Sequence, residues 1–168
     1  MRSFCLMLTR LALAAWVGAA LFFVMVAIRP LRSHEIPDEV KPHLTQTIFP
    51  GYYRTGFSLL GIAWVSGIVA CAHPGLGRAR RFVLVALVSV LLLLMIADWG
   101  WIYSPLADMM QHEIREGQAR AGTFRSYHLA SRWINSIGMA LALIAAGIAC
   151  WPMRMAPASS RSEIASHG

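Results

Sequence analysis

Hydrophobic residues gather into four long runs along this chain, separated by polar stretches. The first runs from Leu11 to Ile28 without a charge and is bounded by Arg10 and Arg29. The second extends from Thr55 to Ala72, between Arg54 and His73-Pro74. The third spans Phe82 to Ile102 and is interrupted only by Asp98. The fourth runs from Trp133 to Trp151, with Asn135 and Ser136 as its notable polar members. A helix rises about 1.5 Å per residue, so about 20 mostly apolar residues cross a hydrocarbon layer about 30 Å thick. Each backbone group in hydrocarbon must pair within its own segment, which favours helices. The pattern predicts an all-α polytopic integral membrane protein, a four-helix transmembrane bundle with helices at about residues 8–28, 55–72, 82–103 and 130–151.

A cleaved secretory signal is the alternative for the first run, with Arg2 and Arg10 as its basic region and Ala19-Ala20 near the cleavage point. The apolar stretch outlasts a signal core of about 7–15 residues, so a retained helix is expected. Of the connections, 29–54 and 103–132 are long and polar, and 73–81 is a tight turn. Pro37, Pro42 and Pro50 are expected to break up the first long connection. Residues 107–125 hold few breakers and extend the third or fourth helix beyond the membrane. The Pro- and Ser-rich stretch 153–168 reads as a disordered polar tail.

Composition supports this reading. The chain is 57% hydrophobic and 14% charged, against roughly 45–50% and 25% for soluble domains. An ordinary soluble enzyme, a disordered protein and a disulfide mini-scaffold are thereby set aside. The 15 Lys and Arg against 8 Asp and Glu would fit a nucleic-acid binder. Every basic residue lies outside the apolar runs, however, so the positive charge forms collars around helices and nucleic acid is not an expected partner. With four spans, both termini and residues 73–81 share one side. Raw Lys and Arg numbers do not separate the two sides, but Arg78-Ala79-Arg80-Arg81 sits in the shortest connection, where positive charge orients most strongly. The expectation is a bacterial inner-membrane protein with cytoplasmic termini. Cys5, Cys71 and Cys150 then face the reducing side, as thiols or simply as small apolar residues. The lipid bilayer is the expected partner, together with a second copy or another membrane protein.

Asp98 carries the most chemical information. An aspartate inside a membrane helix costs about 2.5–3.5 kcal/mol on insertion scales and marks a partner or a pathway. Three readings stay open: an interfacial carboxylate among Trp99, Trp101 and Tyr103, a structural pair, or a transport or catalytic acid. On the fourth helix, His128, Ser131, Arg132 and Asn135 follow i, i+3, i+4, i+7 spacing and share a face. Asp98, His128, Ser131, Arg132 and Asn135 are therefore the candidate polar cluster at the bundle mouth, with Asp98 expected to meet His128 or Arg132. A clasp joining two helices is preferred over a proton, metal or ligand site. His34, His43 and His112-Glu113 reproduce no metal-ligand spacing, and a bis-histidine haem would find only His128 near a suitable position. Neither metal nor cofactor is expected, and no catalytic residue is assigned.

Three segments carry a resemblance. These are Trp16-Val17-Gly18-Ala19-Ala20-Leu21-Phe22-Phe23, then Ile48-Phe49-Pro50-Gly51-Tyr52-Tyr53, then Phe124 to Asn135 with His128, Ser131 and Asn135. Their order and spacing resemble the transmembrane protein 205-like family, also called domain of unknown function 4149, over most of residues 11–150. The match is weakest in the third helix. The resemblance implies a four-helix integral membrane protein of uncharacterised activity. Phe49, Tyr52 and Tyr53 are expected to cap the polar mouth. Alternatives of other classes are a membrane oxidoreductase or oxygenase-like component using the same His and Asp, and a subunit of a small-molecule export system.

Overall fold

Each apolar run becomes part of a helix longer than itself. The computed structural model describes residues 1–37, 39–70, 77–116 and 124–151. The first run lies in α1 (Arg2–Phe22), which passes through a π-helical turn, Phe23–Ala27, into the short α2 (Arg29–Arg32). The second lies in α3 (Val40–Ala70). The third forms α4 (Arg78–Ala97), continues through a second π-helical turn, Asp98–Tyr103, and ends in α5 (Ser104–Glu116). The fourth lies in α6 (Phe124–Cys150).

Neighbouring helices pack in the cyclic order α1, α3, α4, α6 and back to α1, which makes a square four-helix arrangement. In α1 the stripe Leu6, Thr9, Leu13, Trp16, Val17 and Ala20 is buried, with the three- and four-residue steps of one helical face. In α6 the buried positions Gly138, Ala142, Ala145 and Ala149 leave out large side chains, so neighbouring backbones come close. Gly56 is the tightest such place. A Cβ there would collide with the end of Met95 and lie 3.1 Å from Trp16 Nε1.

Three helical stretches among the described residues are long and apolar enough to cross a membrane: Arg2–Leu31, Arg78–Gln111 and Arg125–Cys150. The fourth long helix, α3, spends its first half on Lys41, His43, Thr45, Gln46, Thr47 and Arg54 and does not reach that standard within its described residues. Residues 71 and 72 of the second run, and the tail 153–168, lie outside the described residues, as does Cys71.

Two expectations about chain breaks change. Pro42 and Pro50 both sit inside α3 instead of breaking the connection. Pro42 occupies the first turn, where a backbone N–H has no helical partner anyway. Pro50 is truly interior, at a cost of about 3 kcal/mol, and is flanked by Phe49, Tyr52 and Tyr53, all packed on the main core. Tertiary packing on both sides of the proline keeps the helix continuous. Prolines act differently at the two π turns. Each precedes a proline by two or three residues, Pro30 and Pro105, which cannot donate to the preceding turn. Ser104 compensates at the second, its hydroxyl donating to the Trp99 carbonyl at 3.0 Å. The extension of the third helix beyond its apolar run is as expected, reaching Glu116.

Candidate functional site

The polar residues converge where α3, the turn after α4 and the start of α6 meet. Asp98 opens the π turn and is only 2% exposed. Its Oδ2 accepts a hydrogen bond from the Tyr53 hydroxyl at 2.7 Å and another from Asn135 Nδ2 at 3.0 Å. Asn135 also accepts from the Tyr52 hydroxyl at 2.9 Å through its Oδ1, which fixes the orientation of its amide. Its Nδ2 reaches the Ser131 carbonyl at 2.9 Å and hydroxyl at 3.2 Å. One carboxylate oxygen thus ties three helices together, and the Tyr52–Asn135 bond crosses the bundle diagonally from α3 to α6.

Aromatic rings surround this network. Tyr53 lies edge-on to Trp99 at 4.9 Å between centroids and 5.0 Å from Tyr103. Trp99 stacks on Tyr103 at 4.8 Å, and Phe23 stacks on Tyr52 at 4.3 Å. Phe49 joins Phe23 to Tyr103. Such rings exclude water and leave the hydroxyls few places to point except Asp98 and Asn135. A buried carboxylate needs this support, because taking it from water costs several kcal/mol unless donors replace the lost hydration.

Of the residues expected to form the cluster, Asp98, Ser131 and Asn135 do come together, and Tyr52 and Tyr53 are part of the same network. Phe49 lies in the ring cluster beside it. His128 and Arg132 do not take the place expected of them: both are exposed on α6, and Asp98 bonds the neutral Tyr53 and Asn135. For Arg132 the reason is helical phase, whereas His128 keeps the phase of Asn135 and is exposed two turns nearer the start of α6. The inward stripe of α6 runs through Ser131, Asn135, Gly138, Ala142, Ala145 and Ala149, and Arg132 stands about 100° from Ser131 on a helix with 3.6 residues per turn. The interfacial reading of Asp98 is also set aside by its burial.

Tyr53 was legible as a mouth aromatic but not as the partner of Asp98. Extending the buried spacing of α3 backwards from Ala63 through Leu60 and Gly56 reaches it; Arg54 and Pro50 look like a boundary and hide that continuation. Further polar contacts lie at the opposite end. Thr9 and Ser66 share a buried hydrogen bond of 2.8 Å between α1 and α3. Arg80 donates to the carbonyls of Ile148 at 2.8 Å and Trp151 at 2.6 Å, and Arg10 donates to Ala149 at 2.7 Å. The last carbonyls of a helix have no partner within it, so these arginines cap α6.

Among the described residues, no group of three or more His, Cys, Asp or Glu could hold a metal ion. Cys5 and Cys150 are free thiols. His34 and His43 are exposed, and the side chain of His112 lies outside the described residues. No protein-family model matches this chain, and comparison with curated proteins and with solved structures gives no significant match.

Proposed function

We propose that this is an integral membrane protein of four spans whose Asp98 network is an interhelical clasp, and that its role is that of a membrane-embedded structural or interaction component. The observation that carries this reading is the Asp98 carboxylate itself, buried and bonded by α3 and α6 through neutral donors. The donors and rings around Oδ2 commit that oxygen to joining helices. The span reading draws support from the three apolar helical stretches and from the outward apolar side chains Leu11, Phe22, Leu93, Ile96, Leu143 and Ile144. Large exposed apolar surfaces suit lipid contact. On this reading α3 is the fourth span, tied to its neighbours by Tyr53 and Ser66.

The two most specific motifs of the family resemblance supply the clasp, Tyr52 and Tyr53 from one and Ser131 and Asn135 from the other. That pairing supports kinship with the transmembrane protein 205-like family, and the clasp does not depend on it. Arg78, Arg80 and Arg81 in the shortest connection support the proposal of cytoplasmic termini in a bacterial inner membrane.

Purified protein tests the structural reading against the redox one. A colourless, metal-free preparation whose melting is unchanged by chelator agrees with a clasp. A Soret band or stoichiometric metal overturns it. Topology reporters at residues 78 and 115 test the orientation; the first is expected in the cytoplasm and the second across the membrane. Finding residue 115 in the cytoplasm refutes the assignment.

A further inference from the structure

A small cavity lies between α1, α4 and α6, against Asp98 and one of its donors, Asn135. Its volume is about 20 Å³, and its walls include Trp16, Leu91, Asp98 and Gly138, with the half-buried Leu94 and Ile134 at its outer rim. A cavity needs roughly 10–15 Å³ by this measure to hold one water-sized group. Two of the residues that wall it carry a buried polar atom without a hydrogen-bond partner: the Trp16 Nε1–H, which is a donor, and Asp98 Oδ1, which is an acceptor. Each such group left unsatisfied costs about 1–3 kcal/mol. Cavities of this size stay dry when their lining is apolar; two of the residues lining this one carry an unmet donor and an unmet acceptor.

We propose that the cavity is a binding site for a single hydroxyl group. The hydroxyl donates its proton to Asp98 Oδ1, and its oxygen accepts from Trp16 Nε1–H. The pair asks for one group that both donates and accepts: an ammonium has no acceptor lone pair, and a carbonyl has no proton to donate to the carboxylate. The volume admits one oxygen and no ring or chain. The hydroxyl belongs either to water or to an alcohol-bearing amphiphile whose chain leaves past Leu94 and Ile134. The site uses the oxygen of Asp98 that the clasp leaves alone, so it rests on the placement of Asp98 and not on the clasp's contribution to stability.

Nuclear magnetic resonance of the full chain in deuterated detergent tests this. The chain holds six tryptophans, so selective ¹⁵N labelling gives six indole signals, and Trp16→Phe identifies one of them. In the unaltered protein the Trp16 indole proton is expected to show a cross-peak to water, or to the methylene protons of added n-butanol. The first outcome assigns the hydroxyl to water and the second to an amphiphile; either supports the site. A Trp16 indole signal with neither cross-peak overturns it. Gly138→Ala gives a second arm. The new Cβ meets Leu91 Cδ2 and Trp16 Cη2 at 3.9 Å, an ordinary contact, yet it intrudes on the cavity. This variant is expected to fold and to lose the cross-peak. A folded Gly138→Ala protein with the cross-peak intact places the hydroxyl elsewhere and also overturns the proposal. Failure here leaves the melting of Tyr53 variants unaffected, so the clasp and the hydroxyl site fall separately.

Discussion

Replacing Tyr53 by Phe removes one oxygen from the clasp and leaves the ring in place. The ring keeps its neighbours Tyr52, Trp99 and Tyr103, so packing cancels between the two proteins and the hydrogen bond is isolated. An interhelical hydrogen bond in a membrane protein averages about 0.6 kcal/mol, with a maximum of about 1.7. The Tyr53 bond should exceed that average for two reasons. Both partners are 2% exposed, and Asp98 would keep only Asn135 on Oδ2, with Oδ1 already unpartnered among the protein's own groups. Bonds to charged groups contribute about 1.5–3 kcal/mol, and that range is the expected loss. At about 2–4 °C per kcal/mol for a chain of this size, Tyr53→Phe should lower the melting temperature in detergent by roughly 3–12 °C. A double-mutant cycle with Asn135→Ala then separates the two donors, since residues on one network couple by about 0.5–3 kcal/mol. A loss under about 0.5 kcal/mol for Tyr53→Phe, or additive behaviour in the cycle, refutes the claim that Asp98 holds α3 and α6 together.

Other variants read other parts of the fold. Arg132→Ala should change melting by no more than about 0.5 kcal/mol, as for an exposed position; a loss comparable to that of Tyr53→Phe would mean that Arg132 is part of the clasp. Arg80→Ala should uncap α6 at a cost of about 1–2 kcal/mol, and amide hydrogen exchange should rise over residues 147–151 while residues 135–142 stay protected. Uniform exchange along α6 in that variant would disprove the cap. Gly56→Ala must displace the mobile end of Met95 and also crowds Trp16 Nε1 at 3.1 Å, so it should cost about 1–3 kcal/mol, and the bulkier Gly56→Val should cost more. Equal melting of the two would show that the close approach of α3 to Trp16 is not needed.

The helices were legible in the sequence because each apolar run lies in a long helical stretch, three of which are apolar enough to cross a membrane, and the small residues of α6 disclose how closely it packs. The helix ends were harder. Pro50 looks like a break when only local propensity is considered, and it is overridden by aromatic packing that spans α1, α3 and the π turn. The candidate site was half legible. Asp98, Ser131 and Asn135 declared themselves as polar residues within or beside apolar runs. The i, i+3, i+4 rule grouped them with His128 and Arg132, because a face defined by four residues is too wide to tell the buried edge from the exposed one. Only the continuation of the stripe through Gly138, Ala142 and Ala145 narrows it. The capping role of Arg10 and Arg80 has no local signature, since a basic residue beside an apolar run reads equally as an interface marker.

Arg80 and Asp98 stand on one continuous helical path, and both hold α6. The two points are about 27 Å apart along this path, from eighteen residue steps at about 1.5 Å each, and they grip α6 at Ile148 and Asn135. Antiparallel helices lined with Ala and Leu have little to distinguish one alignment from another a turn away, because one small apolar contact replaces another. Two polar grips remove that freedom. Sliding α6 by a single turn would strand a guanidinium at one end and a carboxylate at the other in the same movement. The polar residues therefore act as the index marks of the pair, choosing one alignment from several that the apolar surfaces would accept.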